Sequence, residues 1–123
     1  MQKRILVVDD NQAVRLIVRS TFEMQGPFIV HEASDGLEAL ERAKSLNPDV
    51  VIMDLSMPRM HGLDASRRLK KDRPPVHVIL FTAHKGVLTE AETSEAGVDA
   101  VVSKSEGLET LLQRVEELLQ PVH

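Results

Sequence analysis

The chain has 123 residues, a formal net charge of −4, 42% hydrophobic and 28% charged residues, and no cysteine. A length near the commonest domain size implies a single domain over residues 1–123, with a core large enough to fold without disulfides, which the composition excludes along with thiolate chemistry. The acidic balance argues against direct nucleic-acid binding, and three aromatics (Phe22, Phe28, Phe81) give no stacking platform for single strands.

Along the chain, apolar runs alternate with helical patterns. The run at 4–8 ends in Asp9-Asp10-Asn11, which open a helical pattern over 12–25 that Gly26-Pro27 stops. A mixed run at 28–33 suits an edge strand, and the helix after it, 36–46, ends at Asn47-Pro48. The run at 49–54 ends in Asp54; its helix, 62–72, is stopped by Pro74-Pro75. The run at 77–82 ends in Thr82, and a helix over 86–96 follows, with Gly97 placed where a left-handed cap favours glycine. The last run, 98–103, ends in Ser103-Lys104 and leads to a helix over 106–119 closed by Pro121.

No apolar stretch nears the ~20 residues of a membrane span, and no apolar leader precedes the first run, so a cytoplasmic protein without a membrane partner is expected. The first, third and fourth runs are continuously apolar, as strands covered on both faces are. Five strand-helix units imply parallel strands, right-handed crossovers and helices on both faces. The expected fold class is α/β: a five-stranded parallel doubly wound sheet, (βα)5, with the flavodoxin-like strand order 2-1-3-4-5 taken by analogy.

Such a sheet gathers the carboxyl ends of its strands along one edge, where distant residues meet in a crevice. Four runs end there in Asp9 and Asp10, in Asp54, in Thr82 and in Lys104. Each has an ordinary reading taken alone. An acid or Asn before a helix caps orphan N–H groups, Thr is at home in a strand, and a lysine at a strand end is usually solvated. Two adjacent acids exceed what one cap needs and repel each other, a cost that a cation relieves. Asp54 follows four apolar residues, so it sits at the rim with restricted solvation. A third acid there invites protonation or a metal, and Mg²⁺ prefers such oxygen ligands.

In order and spacing these residues resemble the receiver domains of two-component response regulators, over essentially the whole chain. The acidic pair matches, and Asp54-Leu55-Ser56-Met57-Pro58-Arg59-Met60-His61-Gly62 is similar to the family's Asp-x-x-Met-Pro-x-x-x-Gly signature. Thr82-Ala83 and Lys104 fall at its remaining motif positions. The resemblance implies that Asp54 is the modified residue, taking a phosphoryl group from a histidine kinase or phosphotransfer protein. It implies that Asp10, Asp54 and the Ser56 carbonyl ligate Mg²⁺, with Asp9 acting through water. Thr82, Ala83, Lys104 and Ser56 would bind the phosphoryl group. Output to a further domain or protein would pass through the face made by the fourth helix, fifth strand and fifth helix. The rival readings are a phosphate-independent interaction module and a small phosphatase or phosphotransferase working through an aspartyl phosphate.

Departures from the family pattern fall at Val101, where many receivers carry an aromatic, and at Ser105, where many carry proline. Ser56 and His84 flank the phosphoryl position. Arg67, Arg68, Lys70, Lys71 and Arg73 read as a solvated helix face, and Arg15 and Arg19 as a small basic stripe open to kinase docking or to solvent. Leu108, Leu111, Leu112, Val115, Leu118 and Leu119 follow helical spacing. They are expected mainly in the core, with part left for a partner or a phosphorylation-dependent homodimer.

Overall fold

The computed structural model describes residues 2–120; Pro121, expected to close the last helix, lies outside them. Strands β1 (Lys3–Val8), β2 (Phe28–Ala33), β3 (Val50–Met53), β4 (His77–Thr82) and β5 (Ala100–Ser103) form one sheet in the order β2-β1-β3-β4-β5. Every pairing is parallel. The helices are α1 (Gln12–Gln25), α2 (Gly36–Leu46), α3 (Gly62–Asp72), α4 (Glu90–Glu95) and α5 (Leu108–Leu119). The expected fold class and strand order are those observed. Among the described residues no helix is long and apolar enough to cross a membrane.

Strand alternation divides the core in two. Leu6, Val8, Val51, Met53, Val78 and Leu80 pack on one face against Ala39 and Ala43 of α2 and Ala65 and Leu69 of α3. Ile5, Val7, Val50, Ile52, Ile79 and Phe81 pack on the other against Val18 and Phe22 of α1 and Leu111 and Val115 of α5. Covered on both sides, β3 is buried at all four positions, whereas edge strand β2 is buried at only two of six.

The helix stops act as the sequence implies. Asn47 caps α2 in the left-handed region at φ 49°, and Gly97 follows α4 at φ 76°. Two helix starts differ, and the last strand begins at Ala100 rather than 98. The expected helix 86–96 is a 3-10 turn, Lys85–Val87, followed by the short α4, because Thr89 and Glu92 form a capping box that starts the helix at Glu90. The last helix starts at Leu108 rather than 106, because Lys104–Glu106 is a 3-10 turn and Gly107 breaks it at φ 90°. In α5, Leu111 and Val115 are fully buried, while Leu108, Leu112, Leu118 and Leu119 are partly buried against the same core. Among the described residues, the exposed large apolar side chains are instead Leu16, Ile17 and Met24 on α1, with Leu37 and Val87.

Candidate functional site

Strand register builds the site before any side chain is considered. Val8 of β1 is level with Met53 of β3, and the Asp54 amide extends that ladder by donating to the Val8 carbonyl at 2.9 Å. Asp9 and Asp54 therefore leave neighbouring strand ends side by side. Asp10 follows, and one oxygen from each of the three carboxylates lies within 4.8 Å of the others. Thr82 is level with Ser103, so Lys104 leaves β5 beside the end of β4. Its Nζ reaches over the strand ends to donate to Asp9 Oδ2 at 2.8 Å and lies 3.7 Å from Asp54 Oδ2.

The helix that follows does not use these acids as caps. Asn11 caps α1, accepting from the Ala13 and Val14 amides at 2.9 and 3.3 Å. Asp9 is only 3% exposed; its Oδ1 accepts from the Asn11 amide at 2.9 Å, and its carbonyl accepts from the Arg15 guanidinium at 2.7 Å. Arg15 and Arg19 both reach Glu32, at 3.0 and 3.2 Å, so the basic stripe is partly neutralised by β2.

Burial and the charge of Asp9 push the Asp54 carboxyl above its ordinary value, against the pull of Lys104 and a 2.9 Å bond from the Leu55 amide. Burial works against the Lys104 ammonium, but its bond to Asp9 and the charges of Asp9 and Asp54 raise it above its ordinary value. Three carboxylates thus cluster where one ammonium pairs with two of them, Asp9 and Asp54. A hard divalent cation fits this donor set, since its charge removes the repulsion that lifts Asp54.

The loop from Asp54 to α3 is held from two sides. A Cβ on Gly62 would run into the Asp54 carbonyl and stand 2.9 Å from Leu55 Cα, so only glycine lets the start of α3 pass so close. The Gly62 amide donates to the Leu55 carbonyl at 2.9 Å. Arg59 adopts φ 68°, an uncommon conformation for a residue with a side chain. Its guanidinium donates twice to Asp35 Oδ2, at 2.9 and 2.6 Å, while Asp35 Oδ1 caps α2 by accepting from the Glu38 amide at 2.9 Å. This clamp was not legible in the sequence: Asp35-x-x-Glu38 shows the cap, but nothing shows Arg59 reaching it.

Exposed Ser56 sits on that loop. Thr82 is fully buried at the end of β4, and its Oγ1 accepts from the His84 amide at 3.0 Å. Ala83 and His84 are exposed beyond it. Val101 is partly buried against the α2–α3 side of the core. The described residues contain no cis peptide, so Lys104-Ser105 is trans. The basic run on α3 is laced with ion pairs: Arg67 to Asp64 and Glu95 at 2.7 and 2.6 Å, Arg68 to Asp72 at 3.6 Å, and Lys70 to Asp99 at 3.0 Å.

Residues 5–116 match the family model described as the response regulator receiver domain. The chain belongs to that family. Response regulator MprA of Mycobacterium ulcerans is 38% identical over 120 residues, a match covering 98% of this chain and 51% of the relative. The chain therefore spans about half the length of the curated relatives it matches. A LuxR-family two-component response regulator from Aurantimonas sp. superposes with TM-score 0.89 at 32% identity, covering 97% of this receiver and 86% of that chain. Response regulator TrrA of Thermotoga maritima, in complex with Mg²⁺-BeF, superposes with TM-score 0.87 at 32% identity, covering 95% and 99%. This receiver is a signalling protein of the two-component class.

Proposed function

We propose that this receiver is a phosphoacceptor switch in which Asp54 takes a phosphoryl group from the phosphohistidine of a histidine kinase or phosphotransfer protein. The supporting observation is the cluster of Asp9, Asp10 and Asp54, two of which, Asp9 and Asp54, pair with the ammonium of Lys104. A carboxylate oxygen of Asp54 attacks phosphorus, the P–N bond breaks, and the imidazole leaves as the neutral ring once protonated. Asp10, Asp54 and the Ser56 carbonyl would hold Mg²⁺, with Asp9 acting through water, and the ion would supply charge that neutralises the phosphoryl oxygens. Lys104 pairs with Asp54 in the resting site and with the phosphoryl oxygens once these carry the charge.

Thr82 and the Ala83 amide bind the installed group, with Ser56 and Lys104 completing its surroundings. The Thr82 hydroxyl accepts from the His84 amide, so its own proton is available to a phosphoryl oxygen. A phosphoryl group adds roughly −1.5 to −2 of charge, and the bond from Thr82 supplies the difference in affinity that a switch needs. The surface that responds is the face of α4, β5 and α5, which presents the state to an output domain or downstream protein. With Val101 in place of an aromatic, the response runs through the backbone of the loop after β4. Residues 1–123 form one receiver domain, in the cytoplasm, that catalyses only its own phosphorylation and dephosphorylation.

The test is intact mass after incubation with acetyl phosphate and Mg²⁺. One added phosphoryl group, lost in Asp54→Asn and without metal, is expected. An unmodified wild-type chain that also fails to bind beryllofluoride would overturn the reading, since that mimic cannot be lost by hydrolysis of an acyl phosphate.

A further inference from the structure

Lys104 must place one ammonium between two carboxylates, from a flexible four-carbon stem. Placement begins with its backbone. Many receivers resembling this one have a proline after the lysine, whose ring fixes φ; here Ser105 stands there and offers no such restraint. The 3-10 turn Lys104–Glu106 is held by hydrogen bonds instead. Ser103 Oγ accepts from the Ser105 amide at 3.2 Å and lies 2.8 Å from Ser105 Oγ. Glu106 folds back so that its Oε2 accepts from the Ser103 amide at 2.6 Å. Lys104 lies between these two capping residues.

The same Oε2 atom accepts from Lys85 Nζ at 3.3 Å. Lys85 opens the 3-10 turn that follows Thr82 and His84. One carboxylate oxygen therefore joins the loop carrying Lys104 to the loop carrying Thr82. The Ser103 amide and then Lys85 hold the Glu106 carboxyl below the usual carboxylate range. Glu106 makes no contact with Asp9, Asp10 or Asp54, and no receiver motif identified in the sequence includes it.

We propose that Glu106 is a positioning residue of the phosphoryl-transfer site, whose carboxylate fixes the turn from which Lys104 reaches Asp9 and Asp54. The proposal rests on the phosphoacceptor reading for its kinetic consequence and on geometry alone for its structural one. Glu106→Ala removes both contacts of the carboxylate. Glu106→Gln keeps an oxygen for the Ser103 amide and loses the charge facing Lys85. Lys85→Met removes only the second contact.

The experiment measures initial phosphoryl uptake from saturating acetyl phosphate and Mg²⁺ in the four proteins, with Ser103 amide exchange and the ¹⁵N signal of the Lys104 ammonium. Thermal melting controls for folding. Misplacement of a reacting group by an ångström can cost about a hundredfold, and a loosened turn is a milder fault. Glu106→Ala is therefore expected to lower uptake about tenfold, to speed Ser103 exchange and to shift the Lys104 signal. Glu106→Gln recovers most of the rate, and Lys85→Met stays within about twofold of wild type. Uptake by folded Glu106→Ala within about twofold of wild type overturns the proposal, as does a Glu106→Gln variant as slow as Glu106→Ala. If wild type takes up no phosphoryl group, the functional reading falls and the Lys104 signal alone decides. A shift in Glu106→Ala then upholds the positioning role, and an unchanged signal ends it.

Discussion

At the amino-terminal edge of the sheet, Asp49 accepts from the Arg4 amide at 2.8 Å. There too, Asp99 accepts from the Val78 amide at 2.8 Å and pairs with Lys70 at 3.0 Å. Arg73 donates to Asn47 Oδ1 and to the Lys44 carbonyl at 2.8 and 2.7 Å, and Arg4 donates to the Leu46 carbonyl at 2.9 Å. At the carboxyl-terminal edge, three acids crowd within 4.8 Å, and Asp9 and Asp54 among them share one lysine. Both edges are rich in charge. At the first, each named group closes a backbone bond or an ion pair, which is what holding strands and helix ends together requires. At the second, like charges are pressed together under partial burial, and the bonds from the Asn11 and Leu55 amides and from Lys104 leave Asp54 still raised above its ordinary value. Asn47, Asp49 and Arg73 line a cleft of about 630 Å³, yet all three are already bonded. The proposed phosphoryl transfer is placed at the edge where the electrostatics are unresolved, whatever the size of the opening.

The comparison breaks most visibly if charge at both edges matters equally to phosphoryl uptake. Lys104→Ala should cut the initial rate from acetyl phosphate on the order of a hundredfold, as loss of a preorganised charge partner does. Lys70→Ala at the opposite edge should leave that rate within about twofold.

Next in size is Gly62→Ala. The new methyl has to displace the Asp54 carbonyl, and overpacking against backbone costs roughly 1–3 kcal/mol, read as a lower denaturation midpoint. Gly86→Ala is the matched control, since a Cβ there meets nothing within 4 Å. Its midpoint should barely move.

Asp99→Ala sharpens the contrast from the other side. It leaves the Val78 amide without its acceptor, a loss of about 1–3 kcal/mol in unfolding free energy. Uptake per folded molecule should stay unchanged.

The smallest effect has the opposite sign. The folded protein holds a proton on Asp54 more tightly than the unfolded chain does, because burial and Asp9 raise its pKa. Its contribution to stability is therefore complete below the unfolded carboxylate value and lost as pH rises through the raised folded one. At neutral pH the ionised group weighs against the fold. Asp54→Asn should then melt a few °C higher than wild type at pH 7 without metal, a margin that shrinks as pH falls. Mg²⁺ should raise the wild-type melting temperature more than that of the variant. A melting temperature lowered by Asp54→Asn at pH 7 would show that Asp54 is a structural acid of the kind found at the other edge.

The strands and the residues that leave their carboxyl ends are written in the linear pattern, while the strand order came by analogy. Continuous apolar runs admit few readings, and a parallel sheet sends each following residue to the same edge, so Asp9, Asp54, Thr82 and Lys104 were legible without coordinates. The Thr89–Glu92 spacing even carried the start of α4, although the longer apolar pattern hid it. Tertiary structure alone decided what holds those residues in place. Apart from the Ser103–Glu106 capping box, whose Ser-x-x-Glu spacing is local, the left-handed turn at Arg59 with its reach across 24 positions to Asp35, and the bond from Lys85 to Glu106, depend on how separate loops lie against each other. Local spacing carries no record of that, because such bonds form between neighbours in space whose separation along the chain is set by the elements between them.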